Sequence, residues 1–202
     1  MIKQKKIGLL GGTFDPIHNG HLHLADAIQR AWNLDEIWFI PVQINPHKQG
    51  SAPATTADRL HMVKLAIKDQ PTFKLESLEC ERPGPSYTID TLTALHEKYK
   101  NVSFYFILGE DAIHSLMQWK DIFLVLNAAT LIVGTRPSSF AFSNTSLDPK
   151  IVDAIQKGYT PITPLDISST EIRHCIKEGK NYEKFLPAEV FDYIKEKMLY
   201  LD

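Results

Sequence analysis

Apolar residues in this chain fall into two alternating patterns. Nearly continuous runs of apolar, β-branched or aromatic residues recur at Ile7–Leu10, Ile37–Pro41, Phe73–Leu78, Ser103–Leu108 and Thr130–Gly134, each suited to a strand covered on both faces. Between several of them, apolar positions at helical spacing predict helices over His21–Trp32, Thr56–Lys68, Thr88–Tyr99, Ala112–Met117, Phe123–Asn127, Thr170–Glu178 and Pro187–Met198. This alternation predicts an α/β fold with a mainly parallel sheet and flanking helices. Two stretches interrupt it. Pro41–Pro53, with three prolines and Asn45, His47, Lys48 and Gly50, reads as a loop leaving a strand at the sheet edge where ligands bind in open α/β folds. Arg136–Pro149, rich in Ser, Asn and Pro, reads as a second irregular segment. Repeats, low-complexity tracts and long linkers are absent from the sequence, so residues 1–202 are expected to form one domain.

Composition narrows the classes of function. At 44% hydrophobic and 23% charged, the 202-residue chain suits an ordinary globular protein with one well-buried core. A formal net charge of −2 gives no general attraction to nucleic acid, and Lys3-Gln4-Lys5-Lys6 is too short a basic cluster to alter that. An anionic ligand must therefore be held locally. The two cysteines, Cys80 and Cys175, have no neighbouring cysteine to make a zinc or redox pair, which points to a reducing compartment. The apolar run near the N-terminus stops at Gly11-Gly12, too soon for a signal peptide, and no stretch has the length to span a bilayer. A cytoplasmic protein without membrane or nucleic-acid partners is expected, and a homo-oligomer remains open.

The most informative chemistry lies in Gly11-Gly12-Thr13-Phe14-Asp15-Pro16-Ile17-His18-Asn19-Gly20-His21-Leu22, between the first predicted strand and helix. A Gly-rich approach to a helix N-terminus lets phosphate reach unpaired backbone N–H groups at the positive end of the helix dipole. His18 and His21, three apart with Gly20 expected to break the turn, would add two side-chain donors to the same site. Helix capping is the plain alternative for each histidine. His23 suits a surface position, and a zinc site from the three histidines lacks a local fourth ligand. Far downstream, Asp166-Ile167-Ser168-Ser169-Thr170-Glu171-Ile172-Arg173 opens another helix, with Ser168 and Glu171 spaced as a capping box. Capping does not account for Arg173, a cation suited to a nucleotide's outer phosphates.

The His18-Asn19-Gly20-His21 tetrad resembles the marker of the HxGH nucleotidyltransferase superfamily. Within that superfamily the chain is most similar to the bacterial nicotinate-nucleotide adenylyltransferase family. Further segments agree in order: Pro46-His47-Lys48, Pro85 to Leu92, Ile107 to Ala112, Trp119-Lys120, Gly134-Thr135-Arg136-Pro137 and Ile167 to Arg173. The resemblance implies a Rossmann-like, doubly wound fold. It also implies transfer of AMP from ATP to nicotinate mononucleotide, giving deamido-NAD and pyrophosphate, with magnesium held mainly by the ATP phosphates.

By similarity, His18, His21 and Arg173 are the catalytic residues. ATP would be bound by Gly11, Gly12, Thr13, Phe14, Gly20, Gly109, Asp111, Arg136, Ile167, Ser168 and Ser169 together with those three. The mononucleotide would be met by Asn45, Lys48, Ser86, Tyr87, Thr88, Asp111, Trp119 and Lys120. Trp119 would stack on the pyridine ring, and backbone donors near Thr88 would take its carboxylate. From residue type alone, Trp119 reads first as packing, and Asp111 reads equally as a helix cap. Asn45, where the family often has proline, and Ser138, where glycine is common, depart from its pattern. Phosphopantetheine adenylyltransferase shares the tetrad but is shorter, and cytidylyltransferases and class I aminoacyl-tRNA synthetases carry signatures missing here. A nucleotide sensor without turnover would not need the two histidines and Arg173.

Overall fold

The structure is a computed structural model and describes residues 4–44, 53–135, 147–163 and 165–201. The strands are β1 (Lys5–Gly12), β2 (Glu36–Pro41), β3 (Phe73–Leu75), β4 (Val102–Gly109), β5 (Thr130–Thr135) and β6 (Tyr159–Pro161). The helices are α1 (Asn19–Trp32), α2 (Thr56–Ile67), α3 (Leu78–Glu81), α4 (Thr88–Lys98), α5 (Ile122–Ala128), α6 (Pro149–Gly158), α7 (Ser169–Lys177) and α8 (Ala188–Glu196), with a 3-10 helix at Glu110–Gln118. All strand pairings are parallel, in the order β3-β2-β1-β4-β5-β6. The order reverses between β1 and β4, and the crevice at that switch point is where doubly wound sheets bind ligands.

The period-two alternation of strand side chains splits the core into two layers. Leu10, Ile37, Phe39, Ile107 and Ile132 point to one face, covered by α1, α2, α7 and α8 through Ile28, Met62, Ile172 and Val190. Ile7, Leu9, Trp38, Ile40, Phe106, Leu108 and Val133 point to the other, covered by α4, α5 and α6 through Leu92, Val125 and Ile155. Covering both faces explains why these strands read as continuous apolar runs.

Several elements depart from the sequence reading. The strand expected over Phe73–Leu78 stops at Leu75, because the chain turns at Ser77, whose carbonyl accepts from Cys80 N–H at 2.8 Å and opens α3. The Ala112–Met117 helix is a longer 3-10 helix. Asp148 and Pro149, read as loop, are the N-cap and first residue of α6: the Asp148 carboxylate accepts from Lys150 N–H at 2.8 Å.

Candidate active site

The turn after β1 is held from several sides. Arg59, only 1% exposed, reaches from α2 and donates through Nη1 to the carbonyls of Thr13 and Val42, both at 2.8 Å. Gly12 ends β1, and its carbonyl accepts from Val42 N–H at 3.0 Å. Phe14 is buried with a positive φ of 51° and sets its ring edge-on to His21, centroids 5.0 Å apart. The buried Asp15 carboxylate accepts from the Tyr200 hydroxyl at 2.7 Å and Ala54 N–H at 3.3 Å.

The histidines belong to the first turn of α1, which starts at Asn19, two residues earlier than predicted, with His18 as N-cap. Their rings stack, centroids 3.7 Å apart and 25° between planes. His21 Nδ1 accepts from the His18 backbone N–H at 3.2 Å, which in the neutral ring puts the proton on Nε2. His18 is 6% exposed, and burial lowers its pKa to about 4, so it is neutral at physiological pH. Gly20 does not break the turn as expected: it lies inside the helix, and a Cβ there would come 3.0 Å from the His18 ring. Glycine makes room for the stack.

α7 docks on this turn although the contacting residues lie 153 and 158 positions apart in sequence. Arg173 Nη1 donates to the Asp15 carbonyl at 2.6 Å, and the Ser169 hydroxyl donates to the Pro16 carbonyl at 2.9 Å. Ser168 caps α7, accepting from Glu171 N–H at 3.1 Å and donating to the Glu171 carboxylate at 2.8 Å. The Ile167 carbonyl lies 3.7 Å from where a Gly20 Cβ would sit. The structure therefore brings Gly12–Phe14, His18, Gly20 and His21 together with Ile167–Ser169 and Arg173, while the hydroxyls of Ser168 and Ser169 are already bonded within the protein.

A second cluster forms where α4 begins. Ser86 N–H donates to the Ile44 carbonyl at 3.0 Å, and its hydroxyl accepts from Gln43 N–H at 3.3 Å, tying the α4 entrance to the end of β2. Tyr87 is the N-cap of α4 and Thr88 its first residue. Lys120 Nζ sits 3.0 and 3.1 Å from the two Asp90 oxygens and 4.9 Å over the Tyr87 ring. Trp119, half-buried, donates its indole N–H to Ser115 Oγ at 3.3 Å and meets Phe106 edge-to-face at 5.7 Å. Gly109 ends β4, and Gly11 lies beside Gly12 in β1. Asn45, Lys48, Arg136, the Asp111 side chain, His47 and Ser138 lie outside the described residues.

The sequence reading missed three residues whose polar side-chain atoms the fold buries beside these clusters. Besides Arg59, they are Gln43 and Glu79. Glu79 is 6% exposed and accepts from Thr91 at 2.6 Å, and burial pushes its carboxyl above the usual range. Among the described residues, buried side-chain atoms without a hydrogen-bond partner are Thr13 Oγ1, His18 Nδ1, Gln43 Oε1, Arg59 Nε and Glu79 Oε2. Unsatisfied buried polar atoms are rare in proteins, and these five concentrate around the ends of β1 and β2. Arg59 had a visible signal: with Met62, Val63 and Ile67 it falls on the core face of α2 at helical spacing, a place where an arginine is costly. A cavity of about 490 Å³ between α2 and α3, lined by Lys64, Ser77, Cys80 and Glu81 among others, contains none of the predicted site residues. Among the described residues, no group of three His, Cys, Asp or Glu side chains is placed to hold a metal ion, and no helix is long and apolar enough to cross a membrane.

A parallel sheet of this order, with a histidine-bearing turn at its switch point backed by two guanidinium groups, defines a Rossmann-like α/β protein. Residues 9–175 match the model of the cytidylyltransferase-like family. The nicotinate-nucleotide adenylyltransferase of Bacillus subtilis is 41% identical over 97% of this chain and 98% of its own. A Halalkalibacterium halodurans relative named for the same activity is 45% identical over 97% of this chain and 91% of its own. In structure, the nicotinic acid mononucleotide adenylyltransferase of Plasmodium falciparum complexed with NaAD matches with a TM-score of 0.77 and 25% identity, covering 97% of both chains. The chain belongs to the nicotinate-nucleotide adenylyltransferases, a branch of the cytidylyltransferase-like family.

Proposed function

We propose that the chain transfers AMP from ATP to nicotinate mononucleotide, forming nicotinate adenine dinucleotide and pyrophosphate in NAD biosynthesis. The observation that carries this reading, beside family membership, is the stacked His18–His21 pair at the N-terminus of α1, locked to α7 through Arg173 and Asp15. The acceptor's 5′-phosphate oxygen attacks the α-phosphorus of ATP in line. The bond from that phosphorus to the α–β bridging oxygen breaks, and its electron pair leaves with pyrophosphate. The attacking phosphate is already anionic, so the reaction needs positioning and charge stabilisation rather than a strong base.

In this reading His21 Nε2–H donates to the α-phosphate as charge builds there, and His18 adds a second imidazole beside it. The backbone of Gly11–Phe14, with Gly20 between the histidines, lets the triphosphate approach. Arg173 and the first-turn backbone of α7 at Ser168 and Ser169 take the outer phosphates, with Ile167 leading into them. The Ser168 and Ser169 hydroxyls act as supports of the α7 start, as their internal bonds indicate. Gly109, Asp111 and Arg136 complete the ATP side. Ser86, Tyr87 and Thr88 present the α4 N-terminus to the nicotinate carboxylate, Trp119 offers its ring face, and Asn45 and Lys48 approach the mononucleotide. Lys120 acts through Asp90 and Tyr87, holding the Trp119 turn against α4. Magnesium arrives as part of MgATP, coordinated mainly by the phosphates.

The test is pyrophosphate release from MgATP with nicotinate mononucleotide, nicotinamide mononucleotide or phosphopantetheine as acceptor. Turnover is expected with the pyridine nucleotides, nicotinate first. Activity confined to phosphopantetheine overturns the reading.

A further inference from the structure

Arg59 is the one fully buried cation among the described residues, and its chemistry is unusual. Besides the Thr13 and Val42 carbonyls, its Nη2 donates to Thr56 Oγ1 at 3.2 Å and lies 3.5 Å from the Gln43 carbonyl, so all four acceptors are neutral oxygens. Its Nε is buried without a partner. A guanidinium in that setting bears a desolvation cost that neutral acceptors offset only in part. Its charge, like that of Arg173, is felt at the Tyr200 hydroxyl against the single negative charge of Asp15. Arg59 and Arg173 thus place two positive charges near the Asp15 carboxylate, while Glu79 and Glu81 are felt alongside Arg59 at Cys80.

The same side chain also connects the two clusters. Through Thr13 it holds the histidine-bearing turn. Through the Gln43 carbonyl it holds a residue whose N–H bonds Ser86 at the start of α4. We propose that Arg59 is a positioning residue for the nucleotide's phosphates, a buried fork that fixes the Thr13 turn against the end of β2 and places a desolvated positive charge behind that turn. The role rests on the adenylyl-transfer reading for its reaction, but its electrostatic part concerns any polyphosphate at the turn.

The test compares Arg59→Lys and Arg59→Met in the full chain, measuring inorganic triphosphate affinity by calorimetry together with kcat and the KM of each substrate. Arg59→Met, without charge or fork, is expected to weaken triphosphate binding roughly tenfold and to raise the ATP KM similarly, and to raise the nicotinate mononucleotide KM less, since that side is tied to Arg59 only through the 3.5 Å approach to Gln43. Arg59→Lys restores the charge but not the fork, so it is expected to recover triphosphate affinity while kcat stays roughly tenfold low. Wild-type triphosphate affinity in Arg59→Met, or equal impairment of both variants in every parameter, overturns the proposal. Should Arg59→Met not fold, a normal kcat in Arg59→Lys overturns it alone. Absence of turnover with nicotinate mononucleotide in the wild-type protein would instead refute the function above, and the triphosphate titration reads Arg59 independently of that result.

Discussion

Burial of His18 gives the fold a specific dependence on acidity. The ring is 6% exposed, stacked on His21, and titrates at about 4 rather than the ordinary 6.5. Between those values the unfolded chain binds a proton at this position and the folded protein does not, so stability falls as pH drops below about 6.5 and the loss ends near pH 4. At pH 5 the deficit relative to neutral pH is about 2 kcal/mol, from 1.36 kcal/mol per pH unit across the roughly 1.5 units that separate pH 5 from the unfolded pKa. Urea unfolding at pH 7.5 and pH 5 of the wild type and of His18→Gln measures it. The variant is expected to lose about 2 kcal/mol less than the wild type over that interval, whatever its stability at pH 7.5. Equal pH dependence in the two proteins would refute the claim that the folded site holds His18 neutral.

His21→Ala is expected to lower kcat by roughly a hundredfold or more while ATP affinity changes only a few-fold, since the interaction at stake strengthens in the transition state; steady-state kinetics beside ATP titration separates the two. Tyr200→Phe removes a 2.7 Å hydrogen bond to a buried carboxylate and is expected to cost about 2 kcal/mol in chemical denaturation, with no loss if Asp15 is well satisfied without it. In Gly158→Ala the new Cβ would lie 1.8 Å from the Leu131 carbonyl oxygen, so α6 must part from β5. A loss of about 3 kcal/mol or more is expected, and a thermal melt within a few degrees of the wild type would contradict the close approach.

The sheet was legible because its strands are covered on both faces, which writes Ile7–Leu10 or Thr130–Gly134 as unbroken apolar runs. Where burial weakens, legibility went with it. β3 and β6 are three residues each, too short for periodicity to register, and β6 was not predicted. α6 carried its own start signal in Asp148-Pro149, hidden because the preceding residues look like loop. At the site, Gly11 to His21 was readable as local chemistry, since its residues are neighbours in sequence. Its link to Ile167–Arg173 came from resemblance, not from spacing. Gln43 and Glu79 were missed because burial of their polar atoms is something no residue type declares, whereas Arg59 was marked by its place on the apolar face of α2. The expected duties of the Ser168 and Ser169 hydroxyls came from their place in the family pattern, whereas the capping geometry gives them internal partners. The pairing of Lys120 with Asp90 and Tyr87 follows from the turn bearing it packing beside α4, which no spacing in the sequence announces.

The hydrogen bond between Tyr200 and Asp15 spans 185 positions, and its consequence is kinetic. Closing a loop of that length costs chain entropy that local contacts do not repay, and such contacts tend to form late in folding. β1 and β2, paired directly, gain their stability from nearer partners. The turn that carries the histidines is held early by Arg59, Val42 and Ala54, and the contacts of Arg173 and Tyr200 to Asp15 are expected to complete its order last. Folding followed by hydrophobic burial and folding followed by nucleotide binding are therefore expected to run on different clocks.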